Sequence, residues 1–159
     1  MEWRTVASIV MAAMAKEDLE IIRNDLELLG FELLDDKRQQ LIERIKTEII
    51  ELIHHAKAFE RRENLSDYLA QTLQKDYSSL SNLFSEVEGM TIEHFHILQK
   101  IERVKELLVY DEYSLSQIAD QLQYSSVAHL SNQFKKITGL TPSHFKKIGA
   151  EKRKPLDKV

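Results

Sequence analysis

The fold of this chain is constrained above all by a two-helix pattern written twice. Leu80-Ser-Asn-Leu-Phe84, Gly89-Met-Thr91 and His94-Phe95 return as Leu130-Ser-Asn-Gln-Phe134, Gly139-Leu-Thr141 and His144-Phe145, at a constant offset of 50 residues. Leu65-Ser66 and Leu115-Ser116 keep that offset. Leu69-Ala70 and Ile118-Ala119 are out by one, as a one-residue difference in the turn between two helices would produce. A repeat of this kind marks one supersecondary unit used twice. A shared core explains the repeated Leu and Phe but does not require the repeated Ser-Asn between them.

The second copy shows what the unit is. Ser114 or Ser116 can cap a first helix whose apolar positions Leu115, Ile118, Ala119 and Leu122 fall at helical spacing. Gln123-Tyr124-Ser125 interrupts the period, and Ser126 can cap a second helix with Leu130, Phe134 and Ile137 on one face. Gly139 stops that helix. Thr141-Pro142 begins another, with proline in the first turn where its missing N–H costs nothing. Two short helices around a tight turn, with the small Ala119 where they cross, follow the helix-turn-helix plan. Through Ile118-Ala119-x-x-Leu122, Tyr124-Ser125, Phe134-Lys-Lys-x-Thr-Gly139 and Thr141-Pro-x-x-Phe145, the stretch resembles the second helix-turn-helix of the AraC/XylS family of transcription regulators.

Charge agrees once it is divided. The net charge of −4 is unusual for a nucleic-acid binder, but residues 129–159 carry 8 Lys+Arg against 2 Asp+Glu, and residues 1–128 carry 14 against 24. The positive excess follows the second copy, where phosphate contacts would be made. Four Gly and two Pro in 159 residues favour helices, and 43% hydrophobic content suffices for one ordinary core or one domain plus a small appendage. With no cysteine there is neither a disulfide nor a thiolate metal site, which agrees with a reducing cytoplasm.

Ahead of the repeat the chain is less informative. Residues 1–15 are mostly apolar, and Ala13-Met-Ala15 looks like a signal cleavage site. However, Glu2 and Arg4 cancel in the leading segment, and an apolar run of about ten residues is short for a signal and far too short for a bilayer. It reads as a buried strand or the start of the first helix. Residues 17–29 form an amphipathic helix with Leu19, Ile22, Leu26 and Leu29 as its stripe and Gly30 as its stop, followed by a short strand at 31–34. This order resembles the closing half of a small ferredoxin-like module found ahead of the DNA-binding part in some AraC-type proteins. The module's Cys-x-x-Cys is absent here, so no metal-sensing role follows. Asp35 or Asp36 can cap a longer helix over 37–59, whose Ile42, Ile45, Ile49, Leu52, Ala56 and Phe59 have coiled-coil spacing, widened by Leu41, Ile50 and Ile53. Three heptads are short for an autonomous coiled coil, so packing within the chain is favoured over a homodimer through this helix. The resemblance implies that it packs across the first helix-turn-helix. Glu60-Arg-Arg-Glu63 is a charged connector. Between the copies, residues 91–110 form a helix capped by Thr91, with Phe95, Leu98, Ile101, Val104, Leu107 and Leu108 buried. About eighteen residues give roughly 27 Å, against about 34 Å for one DNA turn.

Opposite the core face of the second copy's second helix lie Val127, Ala128, Ser131, Asn132 and Lys135. Asn can pair bidentately with adenine, Ser with either base edge, and Ala or Val with a thymine methyl. The resemblance implies base contacts from Val127, Ala128, Ser131 and Asn132, with His129 beside them. Ser126, Lys135, Lys136, Lys146 and Lys147 are candidates for phosphate. The first copy offers Ser78, Ser81 and Asn82 as base readers, with Ser85 nearby. Its Glu86 and Glu88 stand where the second copy has Lys136 and Thr138, which predicts weaker DNA binding by the first motif. Both turns carry Gln (Gln74, Gln123) where the family usually has Gly. A Gln held at positive φ costs on the order of 1 kcal/mol.

For an enzyme, only His54-His55 and His94-x-His96 are suggestive, and such spacings diverge on a helix. His94 and His144 occupy matching repeat positions, which argues for capping or packing instead. No nucleophile–base pair, Gly-rich phosphate loop or paired active-site carboxylate is present.

The sequence therefore predicts a mainly α fold: two helix-turn-helix subdomains joined by a long linker helix, with a small N-terminal helix-strand appendage. The appendage takes residues 1–35, the AraC-type DNA-binding domain 36–149, and a basic tail 150–159. The expected protein is a bacterial, cytoplasmic, sequence-specific transcription regulator. Its partners are double-stranded DNA and RNA polymerase, with no cofactor, metal, membrane or catalysis. The alternative is a helical protein–protein interaction module whose first helix-turn-helix no longer reads DNA.

Overall fold

The computed structural model describes residues 16–29, 36–55 and 63–152, and all regular structure among them is helical. The chain divides between residues 40 and 41 into two compact units. In the first lies α1, Lys16–Leu28, starting one residue before the expected helix. Leu19 and Leu26 are half-buried, whereas Ile22 and Leu29 of the same stripe are exposed. Residues 1–15, the stop at Gly30, the strand at 31–34 and a cap at Asp35 lie outside the described residues.

The second unit holds most of α2, Asp36–His54, and then α3, Leu65–Leu73, and α4, Tyr77–Glu88. It continues with α5, Ile92–Tyr110, α6, Leu115–Gln121, α7, Val127–Thr138, and α8, Pro142–Lys152. α2 ends before the expected 37–59 pattern does, and Ala56, Phe59 and Glu60-Arg-Arg62 of the connector lie outside the described residues. Its stripe packs within the chain. Ile42, Ile45 and Ile49 are fully buried in one cluster with Leu69 and Leu73 of α3, Leu80 and Phe84 of α4, and Ile92 of α5. A second cluster joins Ile101, Val104, Leu107 and Leu108 of α5 to Ile118 and Ala119 of α6 and to Leu130 and Phe134 of α7. Ile53 packs against both.

The 50-residue offset is visible as geometry. Phe84 meets Phe95 edge-on at 5.5 Å between centroids, and Phe134 meets Phe145 edge-on at 5.6 Å. Such pairs add about 0.5–1.5 kcal/mol to the burial of the rings. Gly89 and Gly139 take left-handed φ of 69° and 80° at the ends of α4 and α7, a conformation without penalty only for glycine. N-caps also repeat: Asp76, Thr91, Ser126 and Thr141 each accept the N–H three residues on, and Ser114 forms a full capping box with Gln117.

Two expectations change. At both matching positions the capping comes from the backbone: the His94 and His144 N–H groups donate to the Thr91 and Thr141 hydroxyls, and both residues are exposed. The one-residue slip also has two parts. Buried Leu69 and Leu73 match Ile118 and Leu122 at an offset of 49, and so do the left-handed Gln74 and Gln123. The offset opens inside the first helix and closes in the turn, where Asp76 follows Gln74 by two residues but Ser126 follows Gln123 by three.

Candidate nucleic-acid interface

α7 is positioned by its apolar side and presents the rest. Leu130 and Phe134 are fully buried and Ile137 half-buried, which turns Ala128, His129, Asn132, Lys135 and Lys136 to solvent. Val127 is 36% exposed, and Ser131 is half-buried at the edge of this face. Lys135 and Lys136 fall in the last turn, where cations also complement the helix dipole. Ser126 holds the helix start: its hydroxyl accepts the His129 N–H at 3.0 Å and retains a proton to donate. Of the two candidate phosphate lysines on α8, Lys147 is exposed, whereas Lys146 is engaged by Asp111.

The turn ahead of α7 contains a residue that sequence reading missed. Tyr124 is 6% exposed, and its hydroxyl donates to Gln133 Oε1 of α7 at 2.7 Å. Burial pushes this phenol up to about 12. Its ring meets the His129 imidazole edge-on at 5.3 Å, and Ser125 Oγ lies 3.1 Å from His129 Nδ1. Lys100 of α5 sits 3.9 Å above the same ring, a cation–π contact. His129 is therefore held against the turn through one ring nitrogen, leaving Nε2 as its other polar atom. An aromatic inside an otherwise polar turn was the available signal.

In the first copy, Leu80 and Phe84 are buried and Ser78 and Asn82 exposed, with Ser81 and Ser85 half-buried. Exposed Lys75 takes the place of Tyr124 at the offset of 49. The Tyr77 hydroxyl donates to the Glu93 carboxylate. Burial, and then that bond, raise the phenol, and the same bond lowers Glu93. The two expected carboxylates behave differently. Glu86 is exposed, but Glu88 pairs with Lys46 of α2 at 2.8 Å, so its charge braces α4 against α2.

Among the described residues no three His, Cys, Asp or Glu side chains are grouped to hold a metal ion. No helix there is long and apolar enough to cross a membrane.

Comparison with known proteins agrees with this geometry. Residues 69–148, half of the chain, match the family model of a helix-turn-helix domain. A relative from Bacillus subtilis strain 168, the uncharacterised HTH-type transcriptional regulator YtdP, is 28% identical over 102 residues, which cover 64% of this chain and 13% of that protein. The C-terminal domain of the two-component response regulator yesN from Fusobacterium nucleatum is 25% identical, with a TM-score of 0.55 over 65% of this chain and 95% of that one. The C-terminal domain of AraT, a response regulator from Geobacillus stearothermophilus, shares the fold at 20% identity and a TM-score of 0.58, over 68% of this chain and 84% of its own. So does the DNA-binding domain of AdpA, solved with a target DNA, at 17% identity and a TM-score of 0.59, over 70% of this chain and 95% of its own.

Proposed function

The chain belongs to the AraC-type helix-turn-helix family, and from that premise we propose that it regulates transcription by placing α4 and α7 in successive major grooves. The observation that carries this reading is the outward face of α7, where Val127, Ala128, His129 and Asn132 stand together ahead of exposed Lys135 and Lys136. Asn132 would pair with adenine, Val127 and Ala128 would meet thymine methyls, and Ser131 and His129 would reach neighbouring base edges. Ser126, Lys135, Lys136 and Lys147 would hold phosphates; Lys146 would have to leave Asp111 to join them. α4 would add Ser78, Ser81 and Asn82 on a less basic face. α5, with 19 residues, is about 28 Å long and would act as the linker that spaces the two helices near one DNA turn.

The DNA-binding domain would take 36–149, preceded by the appendage 1–35 and followed by the basic tail. In a bacterial cytoplasm it would change promoter occupancy or recruit RNA polymerase. The alternative, a protein-interaction module acting or dimerising through α2, is less favoured. The expected seam residues Ile42, Ile45 and Ile49 are fully buried in the chain's own core.

Selection of bound duplexes from a random pool at low salt, followed by sequencing, tests the reading. The expected result is a retained motif with two recognisable half-sites, the one read by α7 carrying more information. A pool in which no sequence is enriched overturns it.

A further inference from the structure

We propose that the open cavity lined by α2, α3, α5 and α6 is a binding site for a small organic carboxylate with an apolar body, held by the ammonium of Lys100. The cavity measures about 290 Å³. That is at the lower edge of the ~300–1,000 Å³ typical of small-molecule sites. Its apolar walls come from Leu52, Ile53, Leu65 and Leu122.

Its polar groups specify the ligand's charge. Lys100 makes no ion pair among the described residues; its recorded contact is the Tyr124 ring. Burial lowers it to about 8, so charge there is maintained at a cost that an anion would relieve. His96, one turn earlier on α5, also lines the cavity. Burial, and then the charge of Lys100, lower it to about 4, so at neutral pH it offers a hydrogen bond and no second charge. One cation beside a neutral imidazole suits a singly charged carboxylate better than a phosphate dianion.

Gln121 and Gln123 add amides, and Asn64 at the start of α3 makes no side-chain capping bond. Glu63 adds one carboxylate to the lining, which an amino group on the ligand would satisfy. None of these residues belongs to the proposed DNA-reading faces, so the site stands whether or not the chain binds DNA.

The test is methyl NMR of the full chain with three probes of one shape: 3-phenylpropanoate, its neutral amide 3-phenylpropanamide, and L-phenylalanine. The acid should shift the Ile53, Leu65 and Leu122 methyls saturably, and should shift the Tyr124 ring resonances as Lys100 is drawn from its face. The amide should bind at least about tenfold more weakly, and Lys100→Met should lower affinity for the acid by a similar factor, with Lys100→Arg restoring most of it. Tighter binding of L-phenylalanine than of the acid would assign Glu63 to a ligand amine; weaker binding would assign a simple carboxylate. Both keep the site. The proposal is overturned if no cavity methyl responds up to the solubility of the acid, or if acid and amide bind alike. Both readouts use the unsubstituted chain, so an unfolded variant would not obscure the answer.

Discussion

The two helix-turn-helix copies share an interior and differ on their surfaces. Each packs a Leu and a Phe from its second helix beneath a following helix, and each repeats the same edge-on Phe pair within 0.1 Å. Beyond the core they part. α7 ends in exposed Lys135 and Lys136, while α4 ends with exposed Glu86 and with Glu88 tied to Lys46. The second turn buries Tyr124 against α7, while the first exposes Lys75. Packing fixes apolar positions tightly because volume errors there are costly, whereas surface residues can diverge with little loss of stability. One scaffold thus carries a basic outer face on one copy and a more acidic one on the other.

The largest expected effects test the shared part. Phe84→Ala and Phe134→Ala should each cost about 3–5 kcal/mol, as truncation of a buried Phe commonly does. Urea unfolding followed by circular dichroism measures this. The equivalence of the two cores breaks if one substitution costs under about 1 kcal/mol. The unshared part comes next. Asn132→Ala should cost about 1–3 kcal/mol in affinity for the selected duplex, the worth of a bidentate base contact, and Asn82→Ala clearly less. Titration at one fixed salt concentration compares them. Equal losses would mean that both copies read DNA alike.

How far this was legible depended on the range of each interaction. Caps and stops such as Ser126, Thr91 and Gly139 act within one turn and could be placed from the chain itself. So could the buried faces, because Leu130 and Phe134 recur at helical spacing. The pairs Lys46–Glu88 and Lys146–Asp111 could not, since nothing local to Glu88 or Lys146 indicates the partner that folding supplies. Tyr124 was missed for a related reason. Its partners Lys100 and Gln133 come from two other helices, and an aromatic in a turn has no periodicity to betray burial. Among candidate base readers, the outward placement of Asn132 and Asn82 follows from helix geometry, but the anchoring of His129 by Ser125 and Tyr124 required the folded turn.

A smaller effect sharpens the charge contrast. A protein that neutralises phosphates loses affinity with salt at a slope of about 0.9 per contact. Lys136→Glu should therefore lower the slope by about one unit and weaken binding across all sequences. Glu86→Lys should raise it by a similar amount or less, because α4 sits on the less basic side. Binding measured at several salt concentrations reads both. If Glu86→Lys moved the slope more than Lys136→Glu, the dominance of the second copy would be lost.

The smallest expected effect lies in the turns. Gln74 and Gln123 adopt φ of 51° and 57°, where a side chain costs roughly 1–2 kcal/mol relative to right-handed geometry. Glycine removes that strain but returns about 0.5–1 kcal/mol through the greater freedom of the unfolded chain. Gln74→Gly and Gln123→Gly should then each stabilise by about 1 kcal/mol or less, a rise in Tm of a few degrees at most. Their consequences for DNA should differ. After Gln74 comes exposed Lys75, so flexibility there frees no buried aromatic packed against α4. After Gln123 comes Tyr124, which closes onto the Ala119 carbonyl at 2.8 Å and holds Gln133 and His129 of α7. Gln123→Gly should therefore gain Tm while losing a little DNA affinity, and Gln74→Gly should gain Tm alone. Identical behaviour of the two would show that Tyr124 is set by packing under Lys100 and owes nothing to the turn.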